Sequence, residues 1–127
     1  MNRNLYQPAI WLMWLALPLT ALNYWRAWDR LPTRVAVHFD ANFEPNGWTS
    51  REGALMLALG IMAFLVVVFT VAAYSVLVYK PGSAWPVLIV FYLALSLLSA
   101  ANNWIVRSNL YMHNPAPPPV NIQVPTR

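Results

Sequence analysis

The sequence contains no cysteine. That excludes disulfides, thiolate metal sites and a cysteine nucleophile, and it leaves the redox compartment unassigned. Charge is nearly as scarce: 9% of the 127 residues are charged and 59% are hydrophobic, whereas a soluble domain carries roughly 25% charged residues. Mean hydropathy is +0.46, and between residues 53 and 106 a single charged side chain occurs, Lys80. Runs of that length and polarity imply one small integral membrane domain, with the lipid bilayer as its first partner. Eight Lys and Arg against four Asp and Glu give a net charge of +4. The basic residues stand singly at segment ends rather than in a patch interleaved with aromatics, which disfavours nucleic acid as a partner.

Three apolar runs predict an all-α membrane protein with helices at about residues 8–27, 50–79 and 84–107. The first, Ala9 to Trp25, reaches ~26 Å at a rise of about 1.5 Å per residue, slightly short of a ~30 Å hydrocarbon core, and Trp25, Arg26 and Trp28 can snorkel to extend it. It lacks a small-x-small cleavage site and contains two tryptophans, Trp11 and Trp14, so it reads as an uncleaved signal anchor rather than a signal peptide. Pro18 should kink it unless a neighbour or Thr20 compensates the lost backbone bond. In the second run Val66-Val67-Val68 would favour a strand in water, but an isolated strand cannot satisfy its backbone in lipid, so helix is expected. Gly60 suggests a close helix contact. Lys80-Pro81-Gly82-Ser83 is a compact turn into the third run, with Pro86 in its first helical turn and Trp85 and Trp104 as interface anchors near opposite ends. Asn102 and Asn103 read as headgroup-level or interhelical hydrogen-bonding residues. Residues 108–127, with Pro115, Pro117, Pro118 and Pro119, are expected to form a Pro-rich disordered tail. Such a tail could meet a polyproline-binding module, and a plain solvated terminus is the simpler expectation for it and for His113.

The remaining charge is concentrated in the connection from Arg26 to Glu52, whose core (28–49) is expected to be a structured loop with a short β segment. Pro32 bars helix continuation, and the alternation that follows puts Val35, Val37 and Phe39 on one face and Arg34, Ala36, His38 and Asp40 on the other. Glu44-Pro45-Asn46-Gly47 has the chemistry of a tight turn. Trp48 reads as an interface anchor. Thr49-Ser50-Arg51-Glu52 reads as a capping box opening the second helix, with Thr49 at the N-cap.

Leu31-Pro32-x-Arg34-Val35-x-x-His38-Phe39-Asp40, followed by Pro45-Asn46-Gly47-Trp48-x-Ser50-Arg51 between two membrane helices, resembles the signature of domain of unknown function 1648, the N-terminal membrane domain of SdpI-type immunity proteins. The resemblance covers about residues 5 to 79. Its pattern usually carries Gly where this chain has Phe43, often Pro at Ala36, and Lys or Arg at Arg51. If that Gly supports a turn, the bend here should differ or shift to Asn42 or Gly47. The resemblance implies a multi-pass protein of the bacterial cytoplasmic membrane, some relatives of which confer resistance to a secreted peptide toxin and take part in signalling. Those relatives are longer, so this chain is expected to be a truncated or minimal version.

Three functions fit these features. The first is a non-enzymatic module, without catalytic residues, cofactor or metal, whose loop recognises a peptide, a protein or an envelope component. It would use Pro32, Arg34, His38, Phe39, Asp40, Pro45, Gly47, Trp48 and Arg51, a mixture of aromatic anchors and charge suited to recognition. Histidine is also the residue type that switches charge near neutral pH, which would make His38 a pH-sensitive contact. The second is a metal-dependent membrane enzyme with His38 and Asp40 as ligands and Glu44 as helper, which a homo-oligomer or partner would have to complete, because a zinc site collects three or four protein ligands. The third is an oligomeric transporter or channel subunit, although no charged group lies within a helix core where ion pathways usually place one. Orientation stays open. Arg26, Arg30, Arg34, Arg51, Arg107 and Arg127 against Arg3 and Lys80 favour a cytoplasmic loop, and immunity to a secreted toxin favours an external one.

Overall fold

A computed structural model describes residues 3–111, so the Pro-rich stretch and His113 lie outside the described residues. Three helical segments, Asn4–Arg30, Arg51–Tyr79 and Pro81–Tyr111, are long and apolar enough to cross a membrane. The first comprises α1 (Arg3–Leu12), a 3-10 turn at Met13–Leu15, α2 (Ala16–Ala27) and a second 3-10 turn at Trp28–Arg30. It therefore exceeds the expected 8–27 at both ends. The expected disturbance at Pro18 falls one turn upstream. Proline has no N–H for the carbonyl four residues back and its ring crowds that carbonyl. The carbonyl belongs to Trp14, inside the 3-10 turn. Thr20 does not compensate, because its hydroxyl donates to the Ala16 carbonyl at 2.7 Å.

Tyr6, Ile10, Met13, Thr20, Tyr24, Ala27 and Leu31 are buried at steps of three and four, or seven where half-buried Leu17 intervenes, the spacing of a heptad seam. This stripe packs on α3 (Arg51–Tyr79) and α4 (Ala84–Tyr111). On α3 the buried face runs through Ala54, Ala58, Met62, Val66, Thr70 and Ala73. Gly60 is off that face: a Cβ there would meet nothing within 4 Å. The close helix contact expected of it is made instead by the alanines, whose small side chains let backbones approach. On α4, Leu88, Leu95, Asn102 and Asn109 are buried at intervals of seven. Large apolar residues such as Val71, Val78, Leu93 and Leu97 face outward, a surface a soluble monomer would not carry and a lipid-facing helix must.

Indole and phenol groups tie the first span to the hairpin of helices at one end. The Tyr6 hydroxyl donates to the carbonyls of Ala84 (3.1 Å) and Ala73 (3.4 Å), and Trp14 Nε1 donates to Thr70 Oγ1 at 3.1 Å. At the other end, α2 and α3 are joined by an antiparallel hairpin, β1 (Arg34–Phe39) and β2 (Pro45–Ser50). Val35 enters a small core with Tyr24, Ala27, Leu31, Ala54, Ala58 and Val106. The hairpin is thus packed against all three spans. The fold is a three-helix membrane bundle capped by a two-stranded sheet.

Candidate functional site

The expected alternation along β1 holds only in part. Arg34 pairs with Ser50, Val35 with Thr49 and Ala36 with Trp48, but His38 pairs with Gly47 and Phe39 with Pro45. Val37 is therefore an extra residue on β1 and Asn46 a matching extra on β2, and each such bulge disturbs the alternation. Val35 and Ala36 precede the bulges and pair regularly, yet both are buried, so Ala36 does not share an open face with Arg34 and His38.

What buries Ala36 is an asparagine from α4. Asn109 Oδ1 accepts from the Ala36 N–H at 2.7 Å, and Asn109 Nδ2 donates to the Ala36 carbonyl at 2.8 Å. The carboxamide reproduces the donor and acceptor of a neighbouring strand on the edge of β1. An open edge in a membrane protein leaves backbone groups unpaired, and here a side chain closes it. Asn109 falls beyond residue 107, where the helix was expected to end; α4 instead continues to Tyr111.

The reversal between the strands is also displaced from expectation. Pro45, Asn46 and Gly47 belong to β2, and the chain turns at residues 41–43. Asp40 organises it. Its Oδ1 accepts from Asn42 N (2.8 Å) and Glu44 N (3.0 Å), its carbonyl from Phe43 N (3.0 Å), and its N–H donates to the Glu44 carbonyl (2.9 Å). A three-residue hairpin loop of this kind needs left-handed backbone at its last position. Phe43 supplies it, with φ of 58°. The bend has not moved to Asn42 or Gly47 as expected; Phe43 adopts the conformation natural to glycine, and its ring stands edge-on to Trp104 at 6.1 Å.

Helix α3 begins at Arg51, with Ser50 as N-cap, its Oγ accepting from Gly53 N at 3.0 Å. The expected Thr49 to Glu52 capping box is not formed, because Thr49 is held as a strand residue opposite Val35. Gly53 is required there, since a Cβ would lie 2.2 Å from Thr49 Oγ1.

The remaining motif residues divide by role. Pro32 is half-buried between the end of the first span and β1. His38 Nδ1 is hydrogen-bonded to Asn46 Oδ1, and Gly47 makes room for that side chain, since a Cβ at 47 would lie 2.9 Å from His38 Cβ. The Arg34 guanidinium lies over the Trp48 ring at 6.0 Å, both residues being exposed. Arg51 lies over Trp28 at 5.5 Å and donates from Nη1 to the Trp28 carbonyl at 3.1 Å, placing a cation at the carboxyl end of the first span, where the helix dipole favours it. Phe39 packs edge-on against Trp104 at 4.7 Å. Phe39, Phe43, Trp104, Arg107, Ser108 and Tyr111 together line an open groove of about 450 Å³ beside the hairpin.

The His38 and Asp40 pairing expected of a metal enzyme is not assembled. Asp40 is engaged by the turn and His38 by Asn46, and no three His, Asp or Glu side chains converge among the described residues. The residues that sequence reasoning did not place in the site are Asn46, Phe43, Trp104, Arg107 and Asn109. The seven-residue spacing from Leu88 through Leu95 and Asn102 to Asn109 is the one signal that would have found the last.

Comparison with curated proteins and with solved structures gave no match. The model of a family described as a domain of unknown function, DUF1648, matches residues 9–62, a stretch that holds most of the first span, the whole hairpin and the first turns of α3 but none of α4. The bulged hairpin, its Asp40 turn and the cation of Arg51 all fall inside that stretch, over which the chain is similar to the DUF1648 family.

Proposed function

We propose that this protein is a non-enzymatic recognition module of the bacterial cytoplasmic membrane, in which the rigid hairpin presents a binding surface for a peptide, a protein or an envelope component. The observation that carries this reading is the Asn109 bond pair to Ala36. It fixes the hairpin to the bundle, and a preorganised surface loses less entropy on binding. The polar motif residues support it as well, because His38, Asp40 and Arg51 are engaged in holding the hairpin's shape and offer no free acid and base pair. What stays exposed is the Arg34 and Trp48 pair and the aromatic groove with Arg107. Arg and aromatic residues of this kind dominate binding hot spots. Immunity to a peptide toxin, as in SdpI-type relatives, is one form this recognition takes.

The test is photo-crosslinking in cells, with a benzophenone amino acid at Trp48 and, as a control, at lipid-facing Leu93. A discrete peptide or protein adduct at 48, absent at 93 and abolished by Arg34→Ala, is the expected result. Lipid adducts alone at both positions would refute the proposal. A single cysteine at Ala41, in the observed turn, read with an impermeant maleimide, assigns the partner's side: labelling in intact cells means an external ligand, labelling only after permeabilisation a cytoplasmic one.

A further inference from the structure

The last two turns of α4 carry Trp104, Arg107, Ser108 and Tyr111, the i, i+3, i+4 and i+7 positions that share one helix face. Opposite them stand Phe39 of β1 and Phe43 of the turn, and the six together line the open groove of about 450 Å³. Among these lining residues only Arg107 is charged, and it is exposed. Four of the six are aromatic. Phe39 and Phe43 stand edge-on to Trp104 at 4.7 and 6.1 Å. Phe43 and Tyr111 are 76% and 82% exposed, which leaves much of their ring surface uncovered.

Such a set suits a ligand that carries both charges. A guanidinium takes a phosphate through two parallel N–H bonds, and the Ser108 hydroxyl can add a further donor. Aromatic faces attract a cation through their quadrupole, as in the cages that hold ammonium groups. The turn that carries Phe43 also carries Asp40 and Glu44, two carboxylates that disfavour a ligand of net negative charge and favour an ammonium at that end.

Depth in the membrane narrows the occupant further. Tryptophan sits at the headgroup level. Arg107 lies three residues farther along α4, ~4.5 Å of helix rise, within the ~5–8 Å that the headgroup layer adds to each side of the hydrocarbon. A groove at that depth is surrounded by lipid headgroups, which any other occupant would have to displace.

We propose that the groove binds the headgroup of a bilayer phospholipid that pairs a phosphate with an ammonium, as phosphatidylethanolamine does. The phosphate lies on Arg107 and Ser108, and the ammonium lies against Phe43 and Tyr111. This rests on reading the groove as part of the recognition surface and narrows its occupant, leaving the Arg34 and Trp48 pair to a peptide or protein.

The experiment places the wild-type protein in vesicles of equal parts phosphatidylethanolamine and phosphatidylglycerol with identical acyl chains. The protein is extracted gently in the presence of glycerophosphoethanolamine and weighed by native mass spectrometry. One retained phosphatidylethanolamine per chain is expected, preferred about threefold, the worth of one exposed cation–π contact. Arg107→Gln should lower retention of both lipids about tenfold, because it removes a charge-assisted hydrogen bond. The double variant Phe43→Gly, Tyr111→Leu should still retain lipid but hold the two kinds equally. Equal retention by the wild type, a preference for phosphatidylglycerol, or no lipid adduct would overturn the proposal. So would unchanged retention in Arg107→Gln or an unchanged preference in the double variant. An adduct with the mass of glycerophosphoethanolamine in place of the lipid would mean a soluble ligand and would also overturn it. None of these outcomes bears on the partner adduct at Trp48, so failure of this proposal is distinguishable from failure of the recognition reading.

Discussion

Asn109 and Ala36, 73 positions apart, are joined by two hydrogen bonds of 2.7 and 2.8 Å that seat the hairpin on the last membrane helix. Asn109 Nδ2 also donates to the Ile105 carbonyl at 2.8 Å, so the amide is fixed to its own helix before it meets the strand. Because α4 lies outside residues 9–62, the part of the chain that matches the family is held in shape by a residue beyond it.

Replacing Asn109 by Leu keeps the volume and leaves the Ala36 N–H and carbonyl unpaired. Each buried orphan costs about 1–3 kcal/mol, so a loss of about 2–4 kcal/mol is expected. The check is amide exchange in detergent or nanodiscs: the Ala36 and neighbouring β1 amides should lose most of their protection while the α3 core, around Val66, keeps its own.

At Phe43 the left-handed backbone costs about 1–2 kcal/mol for an ordinary L-residue, and the edge-on contact with Trp104 returns about 0.5–1.5 kcal/mol. The two nearly cancel. Phe43→Gly is therefore expected to leave stability within about 0.5 kcal/mol of wild type, whereas Phe43→Val, which loses the ring and is β-branched at positive φ, should lower it by about 1–2 kcal/mol. Denaturant midpoints of the three proteins in one detergent decide this, and equal midpoints for Gly and Val would contradict the turn described here.

The start of α3 gives a second pairwise test. Ser50→Ala removes the N-cap acceptor and should cost about 1 kcal/mol. Glu52→Gln should cost less than about 0.5 kcal/mol, because Glu52 is not in a capping box. The reverse order in thermal melts would restore Thr49 as the cap.

Gly47→Ala would place a Cβ 2.9 Å from His38 Cβ. His38 must then move and its bond to Asn46 must break, at a cost of about 1–3 kcal/mol for overpacking. The expected signature is local: the His38 and Asn46 NMR resonances shift, those of the helical bundle do not, and binding at the Trp48 surface weakens.

Three membrane spans were legible because hydropathy adds up over about twenty residues and tolerates local exceptions. Strand β1 was legible from Pro32 and the alternation after it. The turn was not, since Asp40-Ala41-Asn42 and Pro45-Asn46-Gly47 are both turn-forming sequences. The choice between them depends on the register against β2 and on where Trp104 waits for Phe39 and Phe43. The end of the last helix was obscured because Arg107 and the polar residues after it look like an exit from the membrane, although Asn109 still continues the buried seam.

By itself, then, the sequence determined which segments enter lipid and that the charged connection between the first two contains a strand, because these follow from local composition and period. Tertiary structure alone decided which amides are paired. Ala36 is closed by Asn109 from another helix, Phe43 is held at positive φ beside Trp104, and Asn102 Nδ2 has no partner among the described residues, and each of these depends on contacts between residues far apart in the chain, which no local pattern encodes.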